Sequence, residues 1–312
     1  MQGLIANPDE VKFKEEFIKR YSELTDFEKF KKYSLMFLRK SIRVNTLKTS
    51  VEEVVSRLKG KIELTPIPWC KEGFWVKSER RDFGNMLEHQ MGYFYIQEAA
   101  SMIPPIVLNP KEDETILDMC ASPGSKTTQI AQYMKNTGVL VANDVATTRL
   151  KALGFNLQRM GVSNTVVTMI SGRKFSGFEF DRILVDAPCS GMGTIRKSFK
   201  TIKMWNPNSI KRLCRTQKQL AKTAFENLKA GGTMVYSTCT TEPEENEGVM
   251  DYILNEFENA KLQKISLDIK RAEPIVEFEK DVYSSEVKKC LRIWPQDNDT
   301  EGFFVAKIKK NE

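Results

Sequence analysis

The chain has 312 residues, of which 41% are hydrophobic and 29% are charged, and its formal net charge at pH 7 is +7. This composition is typical of a water-soluble globular protein with one large domain or two smaller ones. No apolar run approaches the ~20 residues that a membrane helix needs. The N-terminal stretch also lacks the apolar core of a signal peptide. We therefore expect a cytoplasmic protein that does not associate with membranes.

The cysteine and histidine content limits the possible chemistry. The six cysteines include no CxxC pair, which predicts reduced thiols rather than a disulfide scaffold or a zinc site. His89 is the single histidine, so neither a histidine base nor a histidine-rich metal site is expected. The positive net charge permits a polyanionic partner without establishing one.

The first 110 residues are predicted to form a small α+β module. Residues 1–40 are predicted to be helical, because aromatic side chains such as Phe13 and Phe17 recur at helical spacing among charges. The elements predicted next are a strand at 41–47, a helix at 51–58 that ends at Gly60, and short strands at 62–64, 74–76 and 93–96. We place the domain boundary at the turn formed by residues 109–111.

Residues 111–312 alternate between strand and helix patterns. Strands are predicted at 115–119, 139–143, 165–170, 180–186 and 233–238, and helices at 126–134, 148–160, 208–228 and 244–257. The long helix at 208–228 is expected to close at Gly231 and Gly232, and a final strand at 302–308 is expected at a sheet edge. This alternation predicts an α/β fold with a doubly wound sheet and helices on both faces.

The loop after the first of these strands is the first candidate ligand site. It consists of Cys120, Ala121, Ser122, Pro123, Gly124, Ser125 and Lys126. The loop has neither the dinucleotide fingerprint nor the glycines of a phosphate-binding P-loop. Its Pro-Gly turn leads into a helix N-terminus, which suits a carboxylate or another anion. Asp144 ends the second strand, where an acid accepts hydrogen bonds from a ribose in this architecture. The sequence therefore predicts a site for an adenosine that carries an amino-acid tail.

A second candidate site follows the fourth strand. Pro188 has no N–H to donate to a sheet, so the strand should stop near Asp186. Asp186 and Cys189 would then lie at the carboxyl edge of the sheet, where ligands bind in open α/β folds. The alternative interpretation is an inert buried thiol beside an aspartate that caps a turn.

Cys239 follows the fifth strand, which should pair with the fourth. Thr241 and Glu244 have capping-box spacing, which predicts a helix that starts directly after Cys239. Cys189 and Cys239 would share one rim of the sheet, and a structural disulfide between them is not favoured in a reducing compartment. Two thiols and an acid beside an adenosine site indicate covalent catalysis. A thiolate that attacks C6 of a pyrimidine would allow C5 to accept a methyl group.

Residues 196–222 contain nine basic side chains and no acid. Phe199 and Trp205 are interleaved with them, a composition typical of surfaces that grip phosphates and stack on bases. The alternative is a solvated helix face with Trp205 in the core.

Taken together, these motifs resemble the Nop/Sun family of RNA cytosine-5 methyltransferases, which use S-adenosylmethionine. The resemblance rests on residues 43–48, 95–101, 118–128, 186–191, 237–239, 243–247 and 300–306. It implies a Rossmann-like class I methyltransferase sheet that is mostly parallel, with an antiparallel C-terminal strand, in residues 111–312. Residues 1–110 would then form an N-terminal RNA-binding module.

The resemblance also implies roles for individual catalytic residues. Cys239 would be the nucleophile, and Cys189 would assist release of the methylated base. Asp186 would contact the N3 edge of the cytosine, and donation to that edge would require a protonated carboxyl group. Lys126 would contact the flipped-out base.

The same resemblance implies a set of cofactor contacts. S-adenosylmethionine would be held by the loop at 120–126 together with Asp144, Arg149 and Asp186. Ser171 stands where many members carry an acid or amide that contacts adenine, and Ser122 and Ser125 also depart from the usual form of the loop.

The expected partner is RNA, and the compact layout most resembles archaeal-type tRNA enzymes, with ribosomal RNA as an open alternative. We expect a monomer without a metal. In DNA cytosine-5 methyltransferases the cysteine at the position of Cys189 is the nucleophile, and Cys239 would not be needed. Adenine-directed enzymes typically carry an aromatic residue where Cys189 stands. A non-catalytic RNA-binding assembly factor on the same fold would tolerate the loss of both thiols.

Overall fold

The computed structural model describes Pro8 and residues 11–78 and 82–312. The helices are α1 (Glu15–Leu24), α2 (Phe27–Ser34), α3 (Val51–Leu58), α4 (Leu87–Gln90), α5 (Ile103–Leu108), α6 (Ser125–Tyr133), α7 (Thr147–Met160), α8 (Lys200–Met204), α9 (Pro207–Glu226), α10 (Glu247–Glu256) and α11 (Pro295–Asn298). The strands are β1 (Lys40–Val44), β2 (Glu63–Ile67), β3 (Cys70–Lys77), β4 (Phe94–Ile96), β5 (Thr115–Asp118), β6 (Val139–Asn143), β7 (Thr165–Thr168), β8 (Phe180–Asp186), β9 (Leu228–Thr238), β10 (Ala260–Gln263), β11 (Glu277–Phe278), β12 (Asp281–Val282), β13 (Leu291–Ile293) and β14 (Phe303–Lys310).

The N-terminal region forms an antiparallel sheet in the order β2-β3-β1-β4. Helix α3 covers it, because Val54 and Leu58 pack against Ile42 and Phe74 on the apolar side of the sheet. Burial of one sheet face under an amphipathic helix is the expected way to complete such a small module. The predicted strands and the helix α3 are confirmed.

The prediction of one helix over 1–40 is wrong where the structure describes the chain. Helices α1 and α2 are separate, because the Asp26 side chain caps α2 by accepting a hydrogen bond from the Lys29 N–H at 3.1 Å. The chain leaves helical geometry after Ser34 and enters β1 at Lys40. The part of the prediction at residues 1–7, 9 and 10 lies outside the described residues.

The second sheet has the order β10-β14-β9-β8-β5-β6-β7, with β13 also paired to β14. Neighbouring strands from β9 through β7 run parallel, whereas β14 is antiparallel to β9. The predicted Rossmann-like fold with a mostly parallel sheet and an antiparallel C-terminal strand is therefore confirmed. The pairing of β8 with β9 brings the chain segments after these two strands to the same rim.

The sequence predicts that the last strand, β14, lies at an edge of the sheet, and this prediction is wrong. The strand pairs with β9 on one side and with β10 and β13 on the other. Residues Phe303–Ala306 are almost completely buried, which an edge position would not achieve. The second side of β14 pairs with the short strands β10 and β13, whose sequences show no clear strand pattern.

The predicted end of one helix and the predicted start of another are also wrong. Gly231 and Gly232 lie within β9, where Gly231 has a φ of 72°, and they do not close α9. Helix α10 begins at Glu247 rather than directly after Cys239, because the Thr241 hydroxyl pairs with Tyr21 Oη at 2.9 Å instead of capping a helix. The α10 dipole therefore begins eight residues beyond Cys239 along the chain.

A cluster of aromatic side chains joins the N-terminal helices to the second domain. Phe17 stacks on Tyr21 at 4.0 Å between ring centroids and meets the edge of Trp205 at 5.3 Å. Trp205 is 3% exposed and its indole Nε1 donates to Glu242 at 3.0 Å. The prediction that Trp205 offers a stacking surface to RNA is therefore wrong, and the alternative core position is confirmed.

The apolar core continues across the predicted domain boundary. Helix α5, with Ile103 and Leu108, packs in one cluster with Leu184 of β8 and Val235 of β9. The N-terminal region and the second sheet thus enclose a common interface, and the cleft described below opens along it. Among the described residues, no helix combines the length and apolar character required to cross a membrane.

Candidate active site

A cleft of about 360 Å³ lies between the carboxyl edge of the second sheet and the segment that follows β4. Its lining residues come from both halves of the chain and include Tyr95, Gln97, Glu98, Asp118, Cys120, Ala121, Ser122, Pro123, Ser125, Lys126, Asp186, Lys197, Cys239, Glu301 and Phe303. The ends of β5, β8 and β9 meet here, which is the position where open α/β sheets bind ligands.

An ion pair between Lys126 and Asp186 occupies the floor of the cleft. Lys126 Nζ lies 2.7 Å from Asp186 Oδ2, and the other carboxylate oxygen accepts a hydrogen bond from Ser237 Oγ at 2.7 Å. Burial alone would lower the pKa of Lys126, but the Asp186 carboxylate outweighs it and raises that pKa. Asp186 acts as an acceptor in both contacts, so donation from Asp186 to a base requires an exchange of partners.

The two thiols predicted at one rim lie side by side. Cys189 Sγ is 3.4 Å from Cys239 Sγ. All six cysteines fall within the described ranges and are free thiols. The hydrogen bond to Cys239, together with burial, raises the pKa of the Cys189 thiol. The environment of Cys189 therefore favours its protonated form, and either sulfur can be the donor in the contact between the two thiols.

A buried carboxyl group supports the loop that carries Cys189. Glu245 Oε2 accepts hydrogen bonds from the Ser190 N–H at 2.9 Å and from Gln217 Nε2 at 2.7 Å. Ser190 Oγ also pairs with Thr240 Oγ1 at 2.8 Å, which links this loop to the segment after Cys239. Burial raises the pKa of Glu245 to about 7. The two cysteine-bearing loops are thus held together by polar contacts on their buried side.

The predicted cofactor loop turns sharply into α6. Gly124 adopts a φ of 104°, and a Cβ there would lie 3.0 Å from Leu153 Cδ1, so this position favours glycine. The Ala121 N–H donates to the Asn143 carbonyl at 2.8 Å, and the Pro123 carbonyl accepts from Asn156 Nδ2 at 2.9 Å. These contacts fix the loop while leaving the first N–H groups of α6 directed towards its N-terminal end.

Asp144 and Arg149 lie beside this loop. Asp144 accepts hydrogen bonds from the backbone N–H groups of Ser122 at 3.3 Å and Ala146 at 3.2 Å. Arg149 Nη2 reaches Asp144 Oδ2 at 3.3 Å and the Ser122 carbonyl at 3.1 Å. The structure thus brings Asp144 and Arg149 together with the predicted loop. Ser171 instead lines a separate cavity next to α9.

Several residues of the cleft were not singled out by the sequence. Asp118 ends β5, and burial raises its pKa to about 7. Its Oδ2 accepts from Thr127 Oγ1 at 2.7 Å, but its Oδ1 is buried and has no hydrogen-bond partner among the described residues. The position of Asp118 at the end of a predicted strand could have identified it as a site residue. Glu301 of the cleft, and Ser237 behind Asp186, fall within the resembling segments 300–306 and 237–239, but no local pattern assigned them a role, because their importance depends on contacts with other segments.

Comparison with known proteins places the chain in a family. Residues 105–309 match the family model of the 16S rRNA methyltransferase RsmB/F. Residues 13–99 match the N-terminal domain of 16S rRNA methyltransferase RsmF. The chain belongs to the RsmB/F family. It is therefore a methyltransferase, and both the resemblance to the Nop/Sun family and the expectation of an enzyme are confirmed.

Individual relatives of this RsmB/F family member agree with that assignment. The chain is 49% identical to a tRNA (cytosine(49)-C(5))-methyltransferase of Pyrococcus abyssi, over 96% of this chain and 99% of that protein. It is 47% identical to ribosomal RNA small subunit methyltransferase F of Aliivibrio salmonicida over 88% of this chain. The match spans 58% of that longer protein.

Solved structures show the same fold. A methyltransferase homolog protein from Pyrococcus horikoshii is 38% identical, with a TM-score of 0.86 and coverage of 96% of both chains. NSun6 from the same organism, determined with SFG, is 26% identical with a TM-score of 0.83 and covers 97% of this chain. The similarity extends through the N-terminal region as well as the methyltransferase sheet.

Proposed function

We propose that this family member transfers a methyl group from S-adenosylmethionine to C5 of a cytosine in tRNA, through a covalent bond between Cys239 and C6 of the base. The observation that carries the proposal is the convergence of two free thiols and a Lys126–Asp186 ion pair in one cleft. The family supports RNA as the substrate. The Pyrococcus abyssi tRNA enzyme, which matches over almost the full length of both chains, supports tRNA.

The residues around the predicted loop fit S-adenosylmethionine, which supplies an electrophilic methyl group when bound. Residues 120–126 would hold its amino-acid part at the N-terminus of α6, and Asp144, steadied by Arg149, would accept from its ribose. Two polar atoms of this region, Asp118 Oδ1 and Ser122 Oγ, are buried without a partner among the described residues. Such unpaired groups are costly unless a ligand or water satisfies them.

Adenine would lie against the exposed side chains that follow β6 and β7. Val145 is 63% exposed directly after Asp144, and Ile170 is 37% exposed at the neighbouring strand end. Ser171 follows Ile170 but lines the separate cavity next to α9, so we do not assign it to the adenine site. An apolar pair at this edge accommodates an aromatic ring without competing for its hydrogen bonds.

The nucleophile in this proposal is Cys239. As its thiolate bonds to C6, the C5–C6 double-bond electrons become available at C5, and negative charge develops on the N3 and O2 side of the ring. The thiol of Cys189 retains its proton and lies 3.4 Å from the Cys239 sulfur, so it can stabilise a thiolate there by hydrogen bonding. The raised pKa of Cys189 supports its role as the protonated partner and Cys239 as the attacking group.

Lys126 and Asp186 would hold the extruded cytosine. The ammonium group of Lys126 can donate to N3 or O2, where charge develops during the attack, while Asp186 accepts from the exocyclic amine. Preorganised charge at such a position is among the largest contributions to catalysis. In this arrangement Lys126 donates the hydrogen bond to the ring of the cytosine, so Asp186 does not have to be protonated.

Release requires removal of the C5 proton by a base. The electrons of that C–H bond re-form the C5–C6 double bond, and the Cys239 sulfur departs with the electrons of its bond to C6. Cys189, whose sulfur lies 3.4 Å from this sulfur, would donate a hydrogen bond to the departing thiolate and so assist release of the methylated base.

A basic surface next to the cleft would bind the RNA backbone. Lys197 both lines the cleft and begins the basic stretch. Further side chains of the stretch are exposed to solvent, namely Lys200, Lys203, Lys211, Arg212 and Arg215. Arg196 does not contribute, because it is buried and paired with Asp299 at 2.6 Å. Phosphate contacts of this kind position an RNA without selecting its sequence.

The N-terminal module, residues 1–110, would form one wall of the RNA cleft, since Tyr95 and Glu98 already line it. In our proposal the enzyme works as a monomer without a metal, and the free thiols at the site suit a reducing compartment such as the cytosol. Among the described residues, no three potential ligand side chains cluster as a metal site. Ribosomal RNA is the second candidate substrate, because the family models and the Aliivibrio salmonicida relative carry that name.

Product analysis tests the proposal. Purified protein is incubated with isotope-labelled S-adenosylmethionine and either tRNA or small-subunit ribosomal RNA, and the digested nucleosides are separated by mass spectrometry. We expect labelled 5-methylcytidine from tRNA and none with the Cys239→Ala variant. Label in ribosomal RNA alone would transfer the assignment to the second candidate. An inactive wild-type protein with both RNAs would support an assembly factor and contradict methyl transfer.

A further inference from the structure

Glu301, whose carboxyl group has one oxygen without a hydrogen-bond partner among the described residues, lies in the wall of the cleft. Glu301 precedes β14, is 4% exposed and lines the cleft together with Lys126 and Asp186. Its Oε1 atom is buried and has no hydrogen-bond partner in the described part of the chain. Buried polar atoms are nearly always paired in folded proteins. Because the Glu301 side chain also lines the cleft, a substrate in the cleft is the candidate partner for this carboxyl group.

The backbone of Glu301 is fixed by a second carboxyl group. The Glu301 N–H donates to Glu98 Oε1 at 3.2 Å, and Glu98 Oε2 accepts from the N–H groups of Ala100 at 2.7 Å and Ser101 at 3.1 Å. Three backbone donors thus hold Glu98, which lies in the N-terminal region, and Glu98 in turn holds Glu301 at the start of β14. This arrangement preorganises Glu301 across the interface that forms the cleft.

The surroundings keep Glu301 neutral. Burial, followed by repulsion from Glu98, raises the pKa of Glu301 to about 8. Three charged groups from two segments oppose this shift, namely Lys126 of α6 and the adjacent Arg196 and Lys197 after β8. Burial raises the pKa of Glu98 as well, but three backbone N–H groups oppose that shift and stabilise the Glu98 carboxylate, which favours placing the proton of the pair on Glu301. At neutral pH Glu301 can therefore donate a hydrogen bond into the cleft.

We propose that Glu301 recognises the target nucleotide by donating a hydrogen bond from its carboxyl group to an acceptor atom of the extruded cytosine. The cytosine ring offers two acceptors, N3 and O2, and Lys126 can satisfy one of them. Glu301 supplies a second donor from the opposite half of the chain sequence. This assignment rests on the proposed function, because it requires a cytosine in the cleft.

The test compares Glu301→Gln and Glu301→Ala with the wild-type enzyme in steady-state methylation of tRNA at pH 7 and pH 9. Glutamine keeps a donor but cannot ionise, whereas alanine removes the donor. Glu72→Ala is the matched control, since Glu72 is also buried but lies under Cys70 and Tyr133 and does not line the cleft. Thermal melting of each variant establishes that it is folded.

We expect Glu301→Ala to raise the KM for tRNA at pH 7 by about tenfold or more, with the KM for S-adenosylmethionine unchanged. Glu301→Gln should stay within about threefold of the wild type. From pH 7 to pH 9 the wild-type KM for tRNA should rise as Glu301 ionises, and the Glu301→Gln variant should lose this Glu301-dependent rise. A purely structural role would not abolish that pH dependence.

The assignment is overturned if folded Glu301→Ala binds and methylates tRNA like the Glu72→Ala control. It is also overturned if Glu301→Gln shows the same alkaline rise as the wild type. These results differ from a failure of the proposed function. In that case the wild-type enzyme itself would form no 5-methylcytidine, and the assignment of Glu301 would fail with it.

Discussion

Replacement of Lys126 by methionine removes the cation that the proposed mechanism places against the target base. Lys126 and Asp186 are 2.7 Å apart, and their side chains are 10% and 29% exposed. A charge-assisted hydrogen bond in such a site contributes about 1.5–3 kcal/mol, which corresponds to a rate loss of about 10- to 150-fold. Because Asp186 holds the pKa of Lys126 above its usual value, the lysine remains charged from pH 6 to 9. The loss should therefore be similar across that range.

The assay is single-turnover methylation of tRNA at saturating S-adenosylmethionine, with Lys126→Met, Asp186→Asn and the double variant compared. If the two side chains act as one unit, the double variant should be about as slow as the slower single variant. Lys261→Met, at an exposed lysine on β10, serves as the charge-matched control and should change the rate less than about twofold. Fully additive losses, or a Lys126→Met rate within threefold of the wild type, would refute the role of this pair.

Other variants test the cofactor site, the buried framework and the RNA surface. Asp144→Ala should raise the KM for S-adenosylmethionine about tenfold, with the KM for tRNA unchanged, in steady-state kinetics. Arg292→Met leaves the buried Glu247, its partner at the base of α10, without a counter-charge, and should lower the free energy of unfolding in urea by about 3–5 kcal/mol. The Arg212→Ala/Arg215→Ala variant should reduce the slope of log affinity against log salt by roughly 1–2 in filter binding, whereas an unchanged slope would remove this face from the RNA site.

Much of the fold follows from local patterns that the sequence displays directly. The strands of the second domain were predictable because short apolar runs alternate with amphipathic helices, and β6 and β8 have the predicted limits. The interior position of β14 was not predictable, because it depends on pairing with β10 and β13. The continuation of β9 through Gly231 likewise reflects sheet pairing that overrides the usual meaning of a glycine pair.

Long-range contacts also explain where the local signals failed. Thr241 has the spacing of a capping residue, but its hydroxyl group pairs with Tyr21, 220 residues away. Trp205 lies among basic residues that suggest an RNA surface, yet it packs against Phe17 and donates to Glu242. In both cases the competing partner lies on helix α1, and no sequence pattern near residues 205 or 241 indicates this contact.

The reactive groups of the candidate site could be predicted, whereas their supporting groups could not. Asp186, Cys189 and Cys239 follow strands that the topology makes adjacent, so their convergence followed from strand order. Ser237 and Glu301 are ordinary in composition and acquire significance only through the atoms they face. Sequence patterns thus locate the chemistry, while the preorganisation of the cleft depends on contacts between segments far apart in the chain.

The covalent role of Cys239 is the central claim, and a trapping experiment tests it most directly. Cys189→Ala protein is incubated with tRNA and S-adenosylmethionine and then separated on a denaturing gel. Because loss of Cys189 should slow release, we predict a protein–RNA adduct that is absent from Cys189→Ala/Cys239→Ala. An adduct that survives the second substitution, or tRNA methylation by Cys239→Ala protein, would contradict the assignment of Cys239 as the nucleophile.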